Sequence, residues 1–209
     1  MGAKTAALAY SDGEVAKALQ GVRTADPDAA AALVRRLWPD LSIEPGPDEE
    51  PWTLAEAMYP PEGTVCALAV PGLDLVCDQR IAVERPSLLT EHLVAAGAGR
   101  RMYLHAMHSV VDWVAFAVWD DGRLVRSLSV APDFGIIEDI GDRLPFEAPY
   151  WAGAYPVEDY PLPFHPLNLG ERALVEFFGF YAEGLEPGEG PEATVDEWEI
   201  EVPGFRIVQ

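Results

Sequence analysis

Lysine is nearly missing from this chain of 209 residues. It stands only at positions 4 and 17, and Lys and Arg together number 14 against 35 Asp and Glu, for a formal net charge of -21. A surface of that sign repels phosphate backbones, so nucleic acid is not an expected partner. It suits solubility, and it can steer a basic protein partner by long-range attraction. The preference for arginine over lysine points to a GC-rich coding bias rather than to mechanism. Cysteine is scarce too. Cys66 and Cys77 are too few for the disulfide framework of a small secreted domain. There is no apolar run of bilayer-spanning length and no basic-then-apolar leader at the start, so a cytoplasmic chain with no membrane association is expected. The GxGxxG, Walker, GxSxG, HExxH and CxxC patterns are all missing. No cofactor and no metal site are implied.

What is present points to one domain spanning 1–209, long enough for a real core. Its most strongly patterned stretch is Arg101 to Val130. Met102 to Met107 reads as a strand. Val111 to Trp119 is apolar on both faces and rich in β-branched and aromatic residues, as a buried central strand should be. Asp121-Gly122 tolerates the positive φ of a tight hairpin turn, and Leu124 to Val130 is the return strand. Counting outward from that turn sets Trp119 opposite Leu124, Ala117 opposite Arg126 and Phe116 opposite Ser127, with a one-residue slip mixing the two faces.

Along the chain, Thr5 to Tyr10 is a short strand. Ser11-Asp12-Gly13-Glu14 reads as a capping box opening a helix that Gly21 stops. Asp26 caps a second helix with Pro27 at its first position, and Pro39 ends it. Glu44 to Pro51 is a loop, and Thr53 to Met58 a short helix. Thr64 to Val70 and Leu73 to Asp78 form a hairpin around Pro71-Gly72, which makes Cys66 and Cys77 cross-strand neighbours, buried and reduced. Pro86 starts a third helix that runs to Gly97 or Gly99. Gly135 to Ile140 adds a short strand. Leu144 to Leu167 carries six prolines and six aromatics, which exclude long helices and central strands and supply packing area instead. Asn168 caps a last helix that Gly184 closes, and Glu197 to Val202 alternates like a half-exposed strand. The fold class is α+β: a mainly antiparallel sheet, helices packed on one side, and the proline- and aromatic-rich irregular segment on another.

The start MGAKT, CDQR at 77–80, LHAMHSVVDW at 104–113, PFEAPYWAG at 145–153 and YPLPFHPLNLGE at 160–171 resemble a family of uncharacterised actinobacterial proteins. The likeness runs over most of the chain. It implies a module of an actinobacterial cytoplasm and carries over no catalytic residue, since the family has no assigned activity.

The residues themselves offer a few candidates. His105, His108 and Asp112 are spaced HxxHxxxD, which would share one face of a helix. On a strand the two histidines point to opposite faces, and the surrounding residues favour strand. Arg126 lies on an apolar face, where a guanidinium pairs with a carboxylate such as Glu138, Asp139 or Glu147, clamps an anion, or sits at an edge with its head in water. Ser127 and Trp151 are its candidate companions in binding a small anionic ligand. His165 sits in the proline-aromatic segment, a place for a lid or a rigid packing layer. The turn at YSDGE could offer amides to an anion. Two functions follow. One is a non-enzymatic module whose acidic, aromatic surface binds another protein. The other is an enzyme or anion binder in which Arg126 and a histidine converge beneath residues 144–167. A concave polar pocket would mark the second and an exposed apolar patch the first.

Overall fold

A computed structural model describes residues 2–46, 51–157, 161–186 and 188–208. In chain order the elements are β1 (Lys4–Ser11), α1 (Val15–Leu19), α2 (Pro27–Leu37), β2 (Ser42–Pro45), β3 (Trp52–Thr53), α3 (Leu54–Ala57), β4 (Thr64–Val70), β5 (Leu73–Cys77), α4 (Glu91–Ala95), β6 (Arg101–His108), β7 (Trp113–Asp120), β8 (Arg123–Ala131), β9 (Gly135–Ile140), α5 (Ala148–Trp151), α6 (Pro166–Phe178), β10 (Glu201–Val202) and β11 (Gly204–Val208). Nine strands form one antiparallel sheet in the order β2-β11-β4-β5-β1-β6-β7-β8-β9, and β10 pairs with β3 apart from it. The α+β class with a mainly antiparallel sheet is therefore the fold.

Strand alternation sorts the core into two layers. Ala6, Leu8, Tyr10, Leu104 and Ala117 face α2 and Leu93 of α4, whereas Ala7, Ala9, Phe116, Val118 and Leu128 face α6, α1 and the 144–164 segment. The helices thus cover both faces of the sheet rather than one, and the proline-aromatic segment shares its face with α6. The cause is the two-sided burial of the central strands: β1, β6 and β7 expose no apolar face to water, so each side needs a cover.

Local chemistry explains most element boundaries. Asp26 accepts from the backbone N–H of Asp28 at 2.8 Å and of Ala29 at 3.3 Å, capping α2 as expected. Thr53 and Glu56 form a reciprocal capping box on α3. No such box opens α1: β1 runs on through Ser11, whose hydroxyl is spent on Gly13, and the helix begins only after Glu14. The helix after Pro86 is broken into a 3₁₀ turn, Pro86–Leu88, and α4. His165, not Asn168, caps α6, because Pro166 occupies the first helical position; Gly179, in the left-handed region, closes it five residues before Gly184. At the other end of the sheet, β2 replaces part of the expected 44–51 loop, whose residues 47–50 lie outside those described. Only Glu201 and Val202 of the expected 197–202 strand are extended, and the true edge partner of β4 is β11.

The β7–β8 hairpin turns at Asp121 and Gly122, both with positive φ (50° and 72°), as a two-residue turn of this kind requires. Trp119 faces Leu124 as expected, but a bulge then shifts the register. Val118 pairs with Arg126, Ala117 with Ser127, Phe116 with Leu128 and Ala115 with Ser129. The extra residue sets large against large on one face and Ala against Ser on the other, a better match than the unbulged register allows.

The Pro71-Gly72 hairpin keeps its expected register, with Cys66 opposite Cys77 and Leu68 opposite Leu75. Both cysteines are buried thiols, and burial first, then Cys66 and Asp78, pushes the Cys77 thiol well up. A neutral, shielded thiol is a poor nucleophile. Neither thiol should react with a small disulfide reagent in the native protein within hours. Both should react together once urea unfolds the chain, and fast labelling of either one under native conditions would show that this hairpin opens on its own.

Candidate functional site

Arg126 is fully buried on the α6 face of β8. Its Nε and Nη2 donate to Glu147 Oε1 and Oε2 at 2.9 and 2.7 Å, a bidentate pair. Its Nη1 donates to Asp139 Oδ1 at 2.5 Å and to the carbonyls of Ile140 (3.1 Å), Ser127 and Gly141 (both 3.3 Å). Glu147 also accepts from the backbone N–H of Leu144 at 2.8 Å and from Trp151 Nε1 at 3.3 Å. Burial alone would pull the guanidinium pKa down, but its hydrogen bonds to Glu147 and then Asp139, with their charges, outweigh it and leave it raised. The cluster is a closed network joining β8, β9 and the 144–151 segment. Gly141 belongs to it: its φ is +81° and a Cβ there would run into the Val125 carbonyl oxygen at the bulge.

The other sequence candidates do not join Arg126. Ser127 points to the opposite face, where it and Ser87 donate to Glu138, the contact from Ser87 Oγ being 2.5 Å. His105 is fully buried between β1 and α6. A carbonyl can only accept, so Nε2 carries the proton and donates to Gly170 O at 2.9 Å, while Nδ1 accepts from Thr5 Oγ1 at 2.8 Å. Gly170 makes this possible, because a Cβ there would lie 2.9 Å from Met107 Sδ. His108 ends the same strand on the other face, with Nδ1 unbonded and its pKa lowered by burial and then by Lys4. Asp112 stands in the left-handed region at the β6–β7 turn and meets His165 at 3.6 Å. His165 lies in a pocket of about 240 Å³ with Leu167, Asn168 and Glu171. Burial pushes the Glu171 carboxyl up, against the lowering effect of the Glu183 and Ala182 amides that it accepts. The HxxHxxxD spacing thus resolves into three separate places. Among the described residues no group of three His, Cys, Asp or Glu side chains is placed to hold a metal ion, and no helix is long and apolar enough to cross a membrane.

The surface feature of note lies elsewhere. β9 is the last strand of the sheet, and among the described residues nothing pairs with its outer edge. Phe134, in the β8–β9 turn, is 73% exposed and Ile136 is 49% exposed; Val111, Ile140 at the far end of β9, and Leu88 are exposed as well. Beside this edge a groove of about 330 Å³ is lined by Val111 and Trp113 from the start of β7, Ala131, Phe134 and Ile137 from the β8–β9 hairpin, and Ala82. Glu84 and Asp133 are its charged lining. The two turns meet here because β6–β7 and β8–β9 both reverse at the same end of the sheet. Sequence reasoning placed β9 but passed over its surface. The available signal was Phe134-Gly135-Ile136-Ile137, whose adjacent apolar residues cannot all face one core.

Residues 5–205 match the model of a family of unknown function (DUF6928), and the chain belongs to that family. No curated protein and no solved structure matches it.

Two outcomes test the buried network and its histidine neighbour. Arg126→Met should cost about 3–5 kcal/mol in urea unfolding, because it strands the buried Glu147 carboxylate; a change near zero would mean that Glu147 is not left as an uncompensated buried charge. His105 has its pKa pushed down to about 4 by burial, against the raising effect of the hydrogen bond it donates to the Gly170 carbonyl. The unfolded chain, with a histidine pKa near 6.5, therefore binds a proton that the folded chain refuses. Stability from this site is complete above about pH 6.5 and falls as the pH drops toward 4, by roughly 3 kcal/mol in all. His105→Gln should remove that part of the slope, and an unchanged pH profile would contradict the burial of a neutral ring.

Proposed function

We propose that the chain is a non-enzymatic interaction module whose interface is the β9 edge together with the groove beside it. The exposure of Ile136 on the unpaired edge strand, with exposed Phe134 in the turn just before it, carries this reading, since proteins ordinarily shield such edges with charge, proline or cover. An extended segment of another protein can add there as a further strand, its backbone bonding to β9 and its alternate side chains entering the groove. Glu84 and Asp133 in the groove, and the net charge of -21, favour a segment that mixes apolar residues with Lys or Arg. They disfavour a second copy of this chain. The alternative of an enzyme or anion binder beneath residues 144–167 loses support because Arg126 already faces five protein acceptor groups and no histidine reaches it. The setting proposed is a single domain in an actinobacterial cytoplasm, on the strength of the sequence resemblance and the reduced cysteines.

Panning a phage library of random peptides on the immobilised chain tests this. Enriched sequences should alternate apolar with basic residues, and a synthetic copy should shift the amide signals of residues 134–140. Ile136→Lys and Phe134→Lys should each weaken it by about tenfold or more, equivalent to about 1.4 kcal/mol. Enriched peptides that shift only signals elsewhere, or that tolerate both changes, would overturn the assignment of the surface.

A further inference from the structure

A second cleft, of about 630 Å³, lies at the opposite end of the sheet from the groove. It is built where β1 ends, β6 begins and β7 ends, and its charged lining is Lys17, Arg100, Arg101, Glu14, Asp12 and Asp120. In a chain with 14 basic residues, three therefore converge on one cavity, including one of the two lysines. Their states differ. Arg100 is held in place, its Nε donating to Asp12 at 2.8 Å and its Nη1 to Asp74 at 2.6 Å. Arg101 lies over the Tyr103 ring, 5.6 Å from its centre, and among the described residues neither Arg101 nor Lys17 forms an ion pair.

The expected anion-binding amides of the YSDGE turn are not the source of this chemistry. The Gly13 N–H is turned to Ser11 Oγ at 3.2 Å, and α1 has only five residues. The side chains supply it instead. The lining carries three cations and three carboxylates, so its formal charge is balanced; with Arg100 held by Asp12 and Asp74, the cations left to face a phosphate dianion are Lys17 and Arg101. Glu14 and Asp120, which form no ion pair among the described residues, are acceptors for hydroxyl donors. We propose that this cleft binds a small phosphorylated polyol, its phosphate between Lys17 and Arg101 and its hydroxyls toward Glu14 and Asp120. The site is separate from the β9 interface and does not rest on that reading.

Titration of the labelled protein with glycerol 3-phosphate, followed by amide NMR, tests it against inorganic phosphate and glycerol as separate probes. Glycerol 3-phosphate should give saturable shifts confined to residues 11–17 and 99–103, weakening as salt rises. Lys17→Met and Arg101→Gln, both on exposed side chains, should each weaken it by about tenfold, with the rest of the spectrum unchanged. No saturable shift by about 10 mM, where a millimolar site would be mostly filled, would overturn the proposal. So would binding that the double variant retains. Equal affinity for inorganic phosphate would overturn the polyol part and leave a simple phosphate site.

Discussion

The arrangement of β8, β9 and the segment after them depends on one buried ion pair, Arg126 with Glu147. A guanidinium with no exposure must have acceptors around it, and a carboxylate with no exposure must have donors. Both conditions are met, with Glu147 taking N–H groups from Arg126, Leu144 and Trp151. Several odd local features then follow from this one requirement. The bulge in β8 carries Arg126 to the α6 face, Gly141 has no side chain to strike the bulge, and the 3₁₀ turn at Pro145–Glu147 presents the carboxylate. A buried pair of this kind adds little stability over well-packed apolar residues. Its effect is selective: a one-residue slip would move Arg126 to the other face and strand Glu147 without its counter-charge.

The parts of this fold that were legible in the sequence are those set by short-range chemistry. Asp26-Pro27, Pro71-Gly72 and Asp121-Gly122 each specify a cap or a turn within four residues, and each forms in the structure. The errors occur where a distant partner decides. Val125 becomes a bulge because of Gly141 and Glu147, which no count outward from the hairpin can include. β11 becomes a strand because β4 and β2 lie on either side of it, and its own sequence carries Pro203 and Gly204 at its start. His165 displaces Asn168 as the cap of α6 because Pro166 preorganises the first turn one step earlier.

The candidate sites were legible to a different degree. Arg126 was visible as a charge on an apolar strand, and its partners were among the three carboxylates that the sequence offered. The histidines were visible as residue types only. Their separation depends on strand parity and on which helix covers which face, so His105 is sealed by Gly170 while Asp112 reaches His165 instead. The groove at β9 had no signature, because an edge strand and an interior strand of six residues read alike until the sheet order is known.

The two edges of the sheet are managed differently, and the difference bears on function. β2 is short, carries Pro45, and ties Glu44 to Arg206 of its neighbour at 2.6 Å, which are ordinary devices against stray pairing. β9 has a bulge at Ile137 but keeps Ile136 and Ile140 outside. Exposed apolar side chains on an edge strand invite self-association even beside a bulge, yet each copy of this chain brings a net charge of -21. Repulsion between copies at ordinary ionic strength acts over about a Debye length, roughly 8 Å, which covers the approach of one edge to another. On the proposed reading the charge opposes pairing with another copy and favours a basic strand. If β9 is the interface proposed, the acidity of the surface and the openness of β9 act together: the one repels a second copy at the edge that the other leaves open.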